Sequence, residues 1–188
     1  MLFSLQYNIT ETSAYRFLER YSKIAQADSV LVYLAQYLLE LALLDSKMAQ
    51  YPPSLQASAA LYVAMRVTLT DSLTRLGQDT SAANVSCWTQ TLQEHTSYTR
   101  SDLRSCAEDY FQLAKIIGDS ELKVVVKKFS QPKYLEVAQF MSGILHKQSS
   151  QRKEQVRMSA STLSKGQTFS QTSMERARPS RPNESSLH

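Results

Sequence analysis

The sequence predicts an all-α protein: a compact five-helix domain followed by a disordered basic tail. Three observations carry that expectation. Apolar residues recur at helical spacing from residue 10 to residue 117, and convincing strand alternation is missing. The segments are unequal in length, show no heptad repeat and contain few of the chain's 4 glycines, which favours a packed domain over a coiled coil. From about Lys147 the composition turns to Ser, Gln, Thr and Arg, too poor in apolar residues to offset the entropy of ordering.

Taken in order, Thr10 to Ala27 reads as the first helix, capped by Thr10 or Thr12. Phe17, Leu18, Tyr21, Ile24 and Ala25 form its apolar stripe. Asp28 or Ser29 caps a second helix running to Leu44. Its stripe is Leu31, Leu34, Ala35, Leu38, Leu41 and Ala42, widened by Tyr37, Leu39 and Leu43, so this helix is buried among others. Pro52 and Pro53 stop it and pre-set the next. The third helix spans Ser54 to about Leu69, and Ala57, Ala59, Ala60 and Ala64 let neighbours approach closely, as befits a central helix. Thr70 to Val85 reads as a polar connection around Gly77 with room for a short helical turn.

Ser86 is placed as the cap of a short fourth helix, Cys87 to Ser97, which holds the single tryptophan, Trp88. Thr99 and Asp102 resemble a capping box with Asp in place of Glu. Behind it Leu103, Cys106, Ala107, Tyr110, Phe111, Ala114 and Ile117 stripe the fifth helix, with Gly118 as its C-terminal cap. Glu121 to Lys128 allows a further turn or two, although Lys123 to Phe129 is ambiguous between helix and strand. Val137 to Leu145 is weakly amphipathic.

Charge divides the chain. Residues 1–146 hold 13 Lys/Arg against 14 Asp/Glu, and residues 147–188 hold 8 against 3, so the overall +4 belongs to the tail. A near-neutral domain argues against duplex binding, which needs a positive face. The tail runs at Arg152 to Arg157 and Glu175 to Pro182 read as solvated linker, or more sharply as a nuclear-import signal, a phosphorylated segment or a weak nucleic-acid contact. MLFSLQYN lacks the basic start of a secretory signal, and Val30 to Leu44 is too short and too interrupted to span a membrane. Soluble, intracellular behaviour is expected, with Cys87 and Cys106 reduced and Asn8, Asn84 and Asn183 in chance N-x-S/T triplets.

Catalytic and metal-binding residues are expected to number none. His95, His146 and His188 lie far apart, no Cys-x-x-Cys occurs, and glycines at 77, 118, 143 and 166 make no phosphate loop. Glu108 and Asp109 are adjacent and so point about 100° apart on a helix. Glu40 stands alone in an apolar helix and needs a partner, for which Arg16 or Arg20 is expected. No cofactor or small-molecule ligand is implied.

Five segments carry a family resemblance. TETSAYRFLERYSKIAQAD at 10–28 and LAQYLLELALLD at 34–45 come first. YPPSLQASAAL at 51–61, WTQTLQEHTSYTRSDL at 88–103 and KKFSQPKYLEVA at 127–138 follow in order. Together they resemble the second, C-terminal repeat of a mitotic (B-type) cyclin, with Glu40 as the expected acid and Phe129 replacing a tyrosine. The resemblance implies residues 10–146 as the cyclin C-terminal domain, residues 1–9 as a remnant of the inter-repeat linker and 147–188 as tail. Met1 falls where the second repeat takes over, so the N-terminal cyclin box is expected to be absent.

What the resemblance implies is a regulatory subunit of a cyclin-dependent kinase in mitosis, acting in nucleus and cytoplasm, without enzymatic activity of its own. In the family the kinase contacts and the substrate-docking patch belong to the first repeat, so kinase-contact and docking residues are expected to number none here. A fragment or truncated isoform is therefore expected. The alternatives are a stand-alone helical interaction module, whose exposed face would include Leu2, Phe3 and Leu5, and a nucleic-acid-associated helical domain.

Overall fold

Alanine decides where the centre of the domain lies. In the computed structural model, which describes residues 3, 4, 6, 12–77, 87–119, 123–147 and 150, Ala57, Ala59, Ala60 and Ala64 are fully buried on one long helix, Pro53–Arg75. With side chains this small, the helix (α3) is packed by α1 (Ala14–Ile24), α2 (Ser29–Ala42) and α5 (Arg100–Asp119) at once. The short α4 (Gln90–Thr96) touches α1, and α6 (Val124–Phe129) touches α2. A last helix, α7, covers 137–147. The described residues thus hold seven α-helices rather than five, plus 3-10 turns at Ser46–Gln50 and Pro132–Tyr134. None of them is in a strand. By contacts the chain divides into Met1–Leu145 and His146–His188, and the core described below belongs to the first unit.

The two extra helices come from the segments of weakest periodicity. Val124–Phe129 is helical, with Lys127 N–H bonded to the Lys123 carbonyl at 2.7 Å. Its valines are unequal: Val124 is exposed while Val125 and Val126 pack beside buried Phe129, a spacing of three to four that suits a helix. In α7, Val137, Ala138, Met141, Ile144 and Leu145 are all buried.

The boundaries shift for identifiable reasons. Helix α1 starts at Ala14 with Ser13 at the cap position, and no side chain bonds there. Thr12 therefore lies outside the cap, and Thr10 lies outside the described residues. Asp28 does cap α2, accepting the Leu31 N–H at 2.8 Å. That helix ends at Ala42, and Leu43 is 84% exposed instead of widening the stripe. Helix α3 runs on to Arg75, into the stretch read as a polar connection with room for only a short helical turn. There the hydroxyls of Thr68, Thr70, Ser72 and Thr74 donate to the carbonyls four residues back, so the polar side chains satisfy themselves on the helix. Buried Asp71 pairs with Arg75 at 2.7 Å.

Thr89, not Ser86, caps the fourth helix by accepting the Leu92 N–H at 3.3 Å. Ser86 itself is outside the described residues, and Trp88 precedes the helix. At α5 the Asp102 carboxylate reaches back to the Thr99 N–H at 2.8 Å, half of a capping box, while the Thr99 hydroxyl donates to that carboxylate at 2.7 Å. Gly118 lies within α5 and is not its terminal cap. The tail expectations for 151–188 also fall outside the described residues.

Candidate functional site

Reactive groups on the described residues are quiet. No cluster of three or more His, Cys, Asp or Glu could hold a metal among them. No described helix is long and apolar enough to cross a membrane. Cys87 and Cys106 are free. Burial pushes the Cys106 thiol up to about 12, with Asp109 adding to it. It raises Cys87 against the opposing pull of Arg66 and Arg100. Both thiols therefore stay protonated and are poor nucleophiles. His95 is exposed on α4. Glu108 and Asp109 diverge as their adjacency requires: Glu108 bonds Arg104 on its own helix, and Asp109 faces the Pro-Pro corner.

Glu40 is not partnered by Arg16 or Arg20. Lys128, from α6, holds it at 2.6 Å, and both side chains remain more than a third exposed. Arg16 pairs with Glu19. The same ammonium stands over the rings of Phe129 (5.2 Å) and Tyr134 (5.7 Å). Tyr37 tilts against Phe129 and Tyr33 meets Tyr134 edge-on, so the pair fastens the KKFSQPKY segment to α2.

The Pro-Pro corner is tied to α5 by a second network. The Tyr51 hydroxyl donates to Asp109 Oδ2 at 2.7 Å and sits 3.0 Å from Ser105 Oγ, while Lys47 Nζ donates to Asp109 Oδ1 at 2.6 Å. Gln56 donates to the carbonyls of Met48 and Tyr51. Burial pushes the Asp109 carboxyl up, but the Lys47 and Tyr51 bonds outweigh it and leave it below the ordinary aspartate value. Trp88 is 1% exposed, donates from Nε1 to the Tyr98 carbonyl at 3.0 Å and meets Tyr62 edge-on.

One concave feature lies between α3 and the first half of α5. It is a groove of about 630 Å³ lined by Tyr62, Arg66, Arg100, Ser101, Arg104, Ala107, Glu108 and Phe111. The Arg66 guanidinium stands 5.8 Å from the Tyr62 ring centre, Arg100 Nε donates to the Tyr62 hydroxyl at 3.2 Å, and Arg104 Nε donates to Glu108 at 3.0 Å. A smaller groove of about 300 Å³ separates α1 from α2, where Ser22 Oγ is buried without a hydrogen-bond partner. Sequence reading missed the three-arginine groove. Arg100 and Arg104 were visible as an i, i+4 pair, but Arg66 joins them only through tertiary packing.

These observations describe a helical scaffold fastened by side-chain networks and marked by two grooves. Residues 12–143 match the family described as cyclin, C-terminal domain, and the chain belongs to that family. Among its relatives, a G2/mitotic-specific cyclin-B of Dictyostelium discoideum is 33% identical over 138 residues, 73% of this chain and 29% of the relative. Cyclin-B2-2 of Arabidopsis thaliana is 34% identical over the same shares. G2/mitotic-specific cyclin-2 of Medicago sativa is 31% identical over 134 residues, 71% of this chain and 37% of the relative. The chain thus spans well under half the length of these relatives. Residues of four of the motifs form the Glu40–Lys128 pair, the Pro-Pro corner and the Trp88 anchor.

Proposed function

We propose that the protein serves as a cyclin-type regulatory subunit of a cyclin-dependent kinase in mitotic progression, in the nucleus and cytoplasm, and does no chemistry itself. The observation that carries this reading is the family match across residues 12–143 together with relatives named as mitotic cyclins. The packing supports it, because four of the five motifs that carry the resemblance supply the contacts that fasten the helices together. The domain's part is that of a rigid body, presenting surfaces to its partners.

The test is immunoprecipitation of the native protein from mitotic and interphase cells, followed by phosphate transfer to a histone substrate. Kinase activity in the mitotic precipitate, several-fold above interphase, is the expected result. Absence of kinase activity from both precipitates would sink the reading and leave a stand-alone helical interaction module in its place.

A further inference from the structure

We propose that the groove between α3 and the first half of α5 is a docking site for a phosphoserine- or phosphothreonine-bearing segment of a partner protein, with Arg66, Arg100 and Arg104 gripping the phosphate. Three guanidinia line one concavity and a single carboxylate, Glu108, stands among them, so the groove carries excess positive charge in a domain that otherwise balances. Two of the three cations are organised by one residue. Tyr62 is 4% exposed and anchored against Trp88; it offers its ring face to Arg66 and its hydroxyl to Arg100. Arg100 and Arg104 are each held through Nε, which fixes the guanidinium while leaving its terminal nitrogens as donors.

Arginine forks match phosphate oxygens in geometry as well as charge. The groove volume falls in the range of pockets that enclose a ligand far larger than one phosphate. Ser101 adds a hydroxyl, and Ala107 and Phe111 supply an apolar floor for residues flanking the phosphate. A peptide suits this layout better than nucleic acid. Residues 1–146 are nearly neutral, whereas a duplex requires a broad positive face, and two aromatic side chains, of which Tyr62 is almost wholly buried, make no stacking ladder.

The site stands apart from the kinase reading, and its test measures binding alone. The full chain is titrated into a short fluorescent peptide carrying one phosphothreonine among alanines, and into its unphosphorylated twin, with anisotropy as the readout. The phosphorylated peptide is expected to bind roughly tenfold tighter or better, with the advantage shrinking as salt rises. Arg100→Met with Arg104→Met should erase that advantage while Trp88 emission and the thermal midpoint stay unchanged. The paired Lys substitutions should restore only part of it. Should the double variant unfold, Arg104→Met alone decides the matter, since that side chain is 80% exposed. Equal binding of the twins, or an advantage that survives these substitutions, would overturn the proposal. So would inorganic phosphate binding as tightly as the peptide, or a single-stranded oligonucleotide binding more tightly through the same arginines.

Discussion

Gln26 ends α1 with φ at +51°, in the left-handed region that side chains enter at a cost. Its N–H bonds the Lys23 carbonyl at 3.2 Å and the Ala27 N–H bonds the Ser22 carbonyl at 2.9 Å, so the chain needs this conformation to close the helix. Gln26→Gly should raise stability by up to about 1 kcal/mol, seen as a higher thermal midpoint. Gly77 plays the same part after α3 at φ +66°, and Gly77→Ala should lower stability by about 1 kcal/mol although no atom lies within 4 Å of the added Cβ. A fall after the first change, or no fall after the second, would show that strain is not what these positions carry. Asp109 carries a charge that the scaffold uses, through Lys47 and Tyr51. Its depressed carboxyl contributes stability that is fully present above the ordinary aspartate value and lost as pH falls through the lower folded one. Asp109→Asn should cost roughly 1.5 kcal/mol near neutrality, and that cost should shrink as pH falls through the lowered folded value. Denaturant midpoints across pH check it; a cost independent of pH would refute the ionic account. At this scale the sequence was only half legible. It marked Glu40 as needing a partner, but not that Lys128 would come from 88 residues away.

Helices were legible where burial is one-sided and dense. The stripes of α1, α2 and α5 appear where their periodicity placed them, with Leu18, Leu38 and Tyr110 at their buried centres. Lost were the ends and the sparse elements. The last part of α3 looks like a loop because Thr and Ser favour turns, yet the same hydroxyls bond back to their own helix once packing holds it. Helix α6 is a single stretch of six residues, too short for any period to declare itself. The three-arginine groove was hidden for a related reason, since it needs two helices to be set side by side. Helix α3 also allows a sharp test of the close approach its alanines permit. Ala60 has no exposed surface, so Ala60→Leu should force backbone shifts and cost about 1–3 kcal/mol, measured by chemical denaturation. A neutral result would mean that α3 has room beside it and that its small residues do not set the packing.

At the scale of the whole folded unit, one continuous core runs from Leu18 on α1 to Leu145 on α7 and includes Trp88 between them. Fold class was therefore legible as a whole even where single elements were not, because the apolar residues outside the clear stripes still found places in the same core. A core without a seam implies that damage at its last helix is felt at its distant anchor. Met141 is 1% exposed on α7 and Trp88 is 1% exposed beside α4, 53 positions apart in sequence. Met141→Ala leaves a cavity and should cost about 2–4 kcal/mol. If the unit unfolds in one step, the tryptophan emission and the helical circular dichroism will shift their denaturant midpoints together and by the same amount. The single tryptophan makes the comparison clean, since its emission reports the Tyr62–Tyr98 corner alone. A helical signal that falls early while Trp88 emission holds would mean that α6 and α7 melt separately. The rigid body argued for above would then be confined to α1 through α5.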